Sequence, residues 1–123
     1  DDKKKRIFLR NKGNKNDLIR DLLNSRVMLN PGHKGEVFCL AAEEARELCL
    51  PLITMGYGCL YERVKHNETG FLAKNKDEFI NYTINLLNND HIYLNLKKKL
   101  HLMRCSRSYK DVAVDLLNIL HGN

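Results

Sequence analysis

The sequence predicts an α/β domain with a parallel sheet of about four strands, flanked by helices and followed by further C-terminal helices. Short apolar or β-branched runs alternate with longer stretches whose apolar residues lie three and four apart, as in β-α-β units. The 123 residues, 43% of them hydrophobic, are sufficient for one compact domain over residues 1–123. No apolar run approaches the ~20 residues of a membrane-spanning helix, and the N-terminus lacks a signal peptide's apolar segment.

The predicted strands and the first helices are bounded by turn-forming and capping residues. Asn16 is the expected N-cap of the first helix, and Pro31 with Gly32 ends the second strand. The strands are predicted at residues 6–9, 26–30, 51–55 and 70–73. The helices between them are predicted at residues 16–24, from 36 or 37 to about 49, and, as a short turn, at 62–65.

The last third of the sequence has helical spacing only. Asp77 and Glu78 lie in the expected first turn of a helix at residues 77–89, where the helix dipole favours acidic side chains. Two further apolar faces, around residues 96–103 and 112–120, predict two more helices.

The charge is concentrated in two basic segments. Residues 1–15 hold seven Lys/Arg and two Asp, and residues 91–110 hold six Lys/Arg and no acid, within a net charge of +6. Such a basic rim suits nucleic acid, an anionic membrane or a phosphorylated ligand, and it is equally consistent with solvated helix faces. The four cysteines, at 39, 49, 59 and 105, form no Cys-x-x-Cys pair, which indicates free thiols in a reducing cytoplasm.

The loop after the second predicted strand is a candidate anion site. Ligands of open parallel sheets bind beyond the carboxyl ends of the strands. Gly32 and Gly35 would let the backbone approach a ligand, Lys34 adds a positive charge, and His33 either lines the pocket or bonds the backbone. The free N–H groups of residues 37–39, at the expected helix start, would attract a diphosphate.

Two carboxylates, those of Glu36 and Glu44, are separated by seven residues. On a single helix they would lie on nearly the same side, about 12 Å apart along the axis at ~1.5 Å per residue. That separation suits a ligand with hydroxyl groups at both ends, because carboxylates accept hydrogen bonds from vicinal hydroxyls. The alternative is that Glu43, Glu44 and Glu47 form a solvated helix face with Arg46.

The segment from Glu36 to Ile53 resembles the signature of the GT-B retaining glycosyltransferases, group 1 or family 4-like, which include many bacterial mannosyl-, glucosyl- and galactosyltransferases. Their usual pattern is Glu-Gly-Phe-Gly-Leu, three residues, Glu-Ala, and a small-residue turn leading to Pro-Val-Ile, which aligns without a gap. The resemblance continues through Gly58, Glu62, Val64 and residues 69–72. It spans roughly residues 6–120 and implies a Rossmann-like, donor-binding C-terminal domain.

The resemblance also implies roles for individual residues. Glu36 would contact the donor sugar at the reacting end, as the catalytic carboxylate, and Glu44 would bind the ribose hydroxyls. The backbone N–H groups of Phe38, Cys39 and Leu40 would hold the sugar and diphosphate, beside the loop of residues 32–35. Val37, Cys39 and Cys49 replace glycines that the family often has, and we expect positive φ to be difficult for residues 37 and 39.

The implied reaction is hexosyl transfer, with retention, from a UDP- or GDP-sugar to a carbohydrate or lipid-linked acceptor, without a metal ion or cofactor. The family's acceptor domain and its diphosphate-binding Arg/Lys pair would precede residue 6, so we expect the isolated chain to be inactive. The expected location is the cytoplasm, with peripheral contact at the inner membrane face. The alternative is a non-catalytic Rossmann-like module whose basic rim binds nucleic acid or an anionic surface. Nucleic acid is disfavoured because aromatic residues do not interleave with the basic ones.

Overall fold

The computed structural model describes residues 7–104 and 108–122. These residues form one parallel sheet of three strands, in the order β1-β2-β3, together with six helices. The elements in chain order are α1 (Lys15–Leu23), β1 (Met28–Leu29), α2 (Leu40–Glu47), β2 (Leu52–Thr54), α3 (Leu60–Arg63), β3 (Gly70–Leu72), α4 (Lys76–Asn88), α5 (Asp90–Leu102) and α6 (Tyr109–Leu120).

The sheet is centred on β2, whose three residues are all buried. Leu52 of β2 is in register with Met28 on one side and with Gly70 on the other. A Cβ at position 70 would lie 1.9 Å from the Leu52 carbonyl oxygen, so only glycine fits there. Successive connections run through α2 and α3, as parallel strands require.

Helices cover both faces of the sheet. Successive residues of a strand point to opposite faces, so Leu52 and Ile53 belong to different buried clusters. Leu52 packs with residues of α2 and α3, while Ile53 packs with Leu86 of α4 and Leu96 of α5. This is the predicted α/β, Rossmann-like arrangement, and the predicted strands at 26–30, 51–55 and 70–73 are confirmed.

Helix α2 is shorter than the sequence predicted, because a left-handed residue stands at each of its ends. Cys39, its N-cap, has φ 56° and ψ 74°, so the helix begins at Leu40 and the predicted start at residue 36 or 37 is wrong. Cys49 also has φ 56°. The Leu50 N–H donates to the Ala45 oxygen at 2.8 Å, and the Cys49 N–H to the Arg46 oxygen at 3.0 Å, which is a Schellman motif. The expectation that Cys39 would resist positive φ is therefore wrong.

The predicted strand at residues 6–9 is also wrong. Ile7, Phe8 and Leu9 are exposed and belong to no strand, and Arg6 lies outside the described residues. An extended apolar run becomes a strand only beside a partner, and the described part of the chain offers it none. The N-cap of α1 is Asn14 rather than Asn16, since the Asn14 side chain accepts the Asp17 N–H at 2.9 Å.

The three C-terminal helices differ in how they pack. Helix α5 buries Leu96 and Leu100, as the apolar spacing predicted. Helix α4 buries Leu86 against the sheet, whereas Ile80, Ile84 and Leu87, which have the apolar helical spacing, are exposed. Helix α6 has no buried residue and begins at a capping box formed by Ser108 and Asp111. Among the described residues, no helix is both long and apolar enough to cross a membrane. The prediction for Cys105 falls outside the described residues.

Candidate functional site

The carboxyl ends of the three parallel strands lie at the same edge of the sheet, and two of the loops that leave them are joined. The Pro31 oxygen accepts the Met55 N–H at 3.1 Å, and the Glu36 oxygen accepts the Cys59 N–H at 3.0 Å. Residues 30–39 and 55–59 therefore form one continuous surface, which we call the two-loop surface.

Two glycines allow these loops to approach each other. Gly58 has φ +60°, and a Cβ there would lie 2.5 Å from the Glu36 oxygen and 2.8 Å from the His33 oxygen. Gly32 has φ +91°, and its Cβ would lie 2.7 Å from a methyl carbon of Leu60. Both positions need glycine for packing within the protein, independently of any ligand.

The tip of the first loop is a tight turn closed by His33. Its Nδ1 accepts the Gly35 N–H at 3.0 Å, and its carbonyl oxygen accepts the Glu36 N–H at 3.0 Å. The interpretation of His33 as a residue that bonds the backbone is thereby confirmed. Lys34 is exposed at the tip and forms no ion pair with the residues that the structure describes.

The two-loop surface presents backbone N–H groups that have no acceptor. Within residues 7–104 and 108–122, no atom accepts a hydrogen bond from the N–H groups of Val37, Phe38 or Cys39. They lie immediately before α2, whose dipole adds partial positive charge at this end. Successive free N–H groups at a helix start are suited to bind an anion such as a phosphate.

Glu36 and Glu44 do not lie on the same helix. Glu36 precedes α2 by four residues, because Cys39 interrupts the helical conformation between them, and the single-helix interpretation is wrong. Both side chains belong to half-buried residues, and neither carboxylate has a hydrogen bond or ion pair in the described part of the chain. Glu44 faces α1, where it lines a small cleft of about 160 Å³ with Leu18 and Leu22. Both carboxylates therefore remain available to accept hydrogen bonds.

The neighbouring acidic residues of α2 behave differently from Glu44. Arg46 forms ion pairs with both Glu43 and Glu47, the latter at 3.5 Å. Glu43 and Glu47 thus pair with Arg46, as in the solvated-face alternative, although both residues are half-buried. Glu44 takes no part in these ion pairs, so the alternative does not include it.

Sequence reasoning missed the contact between Arg63 and Phe38. The Arg63 Nε donates to the Phe38 carbonyl oxygen at 3.1 Å, and the guanidinium carbon lies 4.5 Å from the centre of the Phe38 ring. Arg63 is also 3.3 Å from a carboxylate oxygen of Glu43. Because 25 residues separate the two partners, no local spacing could have revealed this contact.

A second cleft, of about 500 Å³, lies beside the ends of β2 and β3. One lining residue, His66, already forms a hydrogen bond with the backbone, because its Nδ1 accepts the Leu72 N–H at 3.1 Å. The described residues contain no group of three or more His, Cys, Asp or Glu side chains placed to hold a metal ion. The cleft is lined, among others, by Tyr61, His66, Lys74, Glu78 and Tyr82.

Comparison with known proteins identifies a family. No curated protein and no solved structure matches the chain significantly. The family described as "Glycosyl transferases group 1" matches residues 2–102, a range that includes the whole sheet, both joined loops and α1 to α5. Since this match covers most of the sequence and agrees with the α/β fold, the chain belongs to the group 1 glycosyltransferases.

Proposed function

We propose that this chain binds the donor for hexosyl transfer, a nucleotide diphosphate sugar, and acts as the donor-binding half of a retaining glycosyltransferase. Family membership supports glycosyl transfer. The observation that carries the finer proposal is the row of free N–H groups at residues 37–39, which lie in the sequence between Glu36 and Glu44, two carboxylates that have no partner among the described residues. The acceptor would be a carbohydrate or a lipid-linked sugar, bound by a separate acceptor domain.

In this proposal, the free backbone N–H groups bind the diphosphate and the sugar. The N–H groups of Phe38, Cys39 and Leu40 point their partial positive charge at the leaving group, and exposed Lys34 adds a mobile charge. Charge that develops on the departing diphosphate is stabilised by these fixed dipoles, which need no reorganisation during the reaction. A metal ion is not required for this step.

The two carboxylates have separate tasks. Glu36, on the two-loop surface, accepts hydrogen bonds from the sugar near the reacting carbon, where an oxocarbenium-like centre develops. Glu44, in the cleft beside α1, accepts the ribose hydroxyls. Because one carboxylate contacts the sugar and the other the nucleoside, their contributions to binding are separable.

Calorimetric titration with UDP and GDP tests this assignment. Glu44→Ala should weaken nucleotide binding by roughly 1.5–3 kcal/mol, the value of hydrogen bonds to a charged group, which is about 10- to 150-fold. Glu36→Ala should leave the affinity for free nucleotide nearly unchanged and weaken only the nucleotide sugar. Glu68→Ala, on an exposed turn, is the matched control. Equal losses in both variants, or no loss in either, would contradict the assignment.

We further propose a peripheral contact of α5 with the inner, anionic face of the membrane. Lys97 and Lys98 are exposed side by side, although Lys97 also donates to the Tyr93 hydroxyl at 3.3 Å. Lys99 is partly buried and donates to the Asn67 carbonyl oxygen at 3.0 Å. Each exposed lysine adds about 1 kcal/mol at an anionic surface. Changing Lys97 and Lys98 to Gln should therefore reduce binding to anionic vesicles, and the same change at Lys74 and Lys76 should not. Equal binding to neutral and anionic vesicles would leave only a solubility role.

A further inference from the structure

Arg63 is the side chain that links α3 to the loop carrying the free N–H groups. Arg63 is the last residue of α3, and its side chain is largely buried, with 23% of its surface exposed. It contacts the Phe38 carbonyl oxygen, the Phe38 ring and the Glu43 carboxylate. A single guanidinium thus holds both the main chain and the side chain of one loop residue.

The geometry of the peptide unit gives this contact a directional consequence. The Phe38 carbonyl and the Cys39 N–H belong to the same planar trans peptide, in which they point in opposite directions. Holding the Phe38 oxygen at Arg63 therefore directs the Cys39 N–H away from α3. That N–H is one of the groups without an acceptor in the described part of the chain.

A contact that holds this loop in place is needed because the backbone conformation of Cys39 is unfavourable. Cys39 has φ 56°, a region that costs an L-residue of this type energy relative to the right-handed one. The contact at residue 38 adds to the Asn30 contact of Cys39 in opposing rotation of this peptide toward a right-handed conformation, which would extend α2 backwards. Such a rotation would change the direction of the Cys39 N–H.

Glu43 and Arg46 in turn fix the guanidinium of Arg63. One carboxylate oxygen of Glu43 pairs with Arg46, and the other lies 3.3 Å from Arg63. That second oxygen is buried and forms no hydrogen bond in the described part of the protein, so the charge of Arg63 is what balances it. The chain of Arg46, Glu43 and Arg63 restricts where the guanidinium can lie.

We propose that Arg63 is a positioning residue for donor binding: by holding the Phe38 carbonyl, it aims the Cys39 N–H at the diphosphate or sugar of the donor. This inference rests on the proposed function. Arg63 itself does not touch the donor, and its effect passes through one peptide plane.

The chain contains a matched control for this residue. Arg26 makes the same three kinds of contact on the other face of the sheet: its Nε donates to the Leu86 oxygen at 2.9 Å, it pairs with Asp90 at 2.7 Å, and it lies 4.4 Å from the Tyr93 ring centre. Replacing either arginine by Gln removes the same kinds of contact, but Asp90 is 82% exposed and Glu43 only 19%, so the Tm of both variants is measured beside their NMR spectra. A general loss of stability should therefore affect both variants.

The first measurement concerns the loop without any ligand. NMR of the full chain should show a changed Phe38 carbonyl carbon shift and a changed Cys39 amide coupling in Arg63→Gln, and neither change in Arg26→Gln. Arg63→Lys, which keeps a donor and a charge near Glu43, should lie between the parent and Arg63→Gln. Unchanged Phe38 and Cys39 signals in Arg63→Gln would overturn the inference.

The second measurement concerns binding, with UDP-glucose and GDP-mannose compared with UMP and GMP as probes. Arg63→Gln should lower the nucleotide-sugar affinity at least about 5-fold, as expected when one hydrogen bond to a charged group is misdirected, and leave the monophosphate affinity unchanged. Arg26→Gln should change neither. If the loop signals change but the sugar nucleotides bind Arg63→Gln as they bind the parent, the inference is wrong and the proposed function stands. If the parent itself binds no sugar nucleotide, the proposed function is wrong and the inference falls with it.

Discussion

Replacing Cys49 by glycine tests whether the left-handed end of α2 is a strained feature. Cys49 occupies the position after the helix cap with φ 56° and is half-buried. An L-residue in this region costs roughly 1–2 kcal/mol relative to its preferred conformations. Glycine avoids that cost but loses about 0.5–1 kcal/mol more conformational freedom on folding. With both ranges taken at their midpoints, the expected net gain is about 0.7 kcal/mol.

The magnitude can be measured by thermal unfolding. For domains of this size, about 1 kcal/mol corresponds to a shift of roughly 4 °C or more in Tm, so Cys49→Gly should raise Tm by about 2–5 °C. Cys49→Ala is the control, because alanine retains the Cβ that makes positive φ unfavourable. A lower Tm for Cys49→Gly, or equal shifts for the glycine and alanine variants, would refute the reasoning.

The same exchange at Cys39 should give a different result because its side chain is buried. Cys39 is 7% exposed, packs in the cluster that contains Leu52 and Leu60, and its Sγ lies 3.5 Å from the side-chain nitrogen of Asn30. Losing that packing offsets the relief of strain, so Cys39→Gly should show no gain in Tm. Since φ is 56° at both residues, the difference between the two variants reflects the buried packing of Cys39 and its contact with Asn30.

Two further predictions concern a loop contact and a helix cap. Gly58→Ala should lower the free energy of unfolding by about 2 kcal/mol or more, because the added Cβ would lie 2.5 Å from the Glu36 oxygen. Chemical denaturation measures this change, and a stability equal to that of the parent would contradict the contact. The Ser108 backbone N–H and hydroxyl hold the pKa of Asp111 below its usual range. The first turn of α6 should therefore be fully formed above the unfolded pKa of about 3.9 and fray as the pH falls through the lowered value, which NMR shifts can follow. Asp111→Asn should remove this pH dependence, and a dependence that persists in the variant would refute it.

The sheet could be predicted from the sequence because its strands carry a local signal. Each of β1, β2 and β3 lies inside a predicted apolar run. The run at residues 6–9 carries the same signal but forms no strand at residues 7–9, since pairing depends on a neighbour and not on the run itself.

The geometry of the candidate site was less accessible to sequence reasoning. Helix α2 was predicted to start too early because a cysteine in the left-handed region is uncommon, and no propensity marks Cys39 as a break. The prediction of free N–H groups at residues 37–39 survives, although they lie in a loop and not in a first helical turn. The link between Arg63 and Phe38 depends on the packing of α3 against the loop, which only the structure provides.

The departures from the family pattern at α2 change the side chains more than they change the backbone. Cys39 and Cys49 stand where the family often has glycine, yet both adopt the left-handed conformation that glycine favours. The third departure, Val37, is 87% exposed, so its side chain takes little part in packing. If the donor is held by main-chain N–H groups, as proposed, then binding depends on the path of the backbone at residues 37–40 and not on the glycines themselves. The substitutions then do not by themselves remove the proposed donor site. Instead, the shape of the site depends on additional contacts, and the contact between Arg63 and the Phe38 carbonyl is the most direct of them.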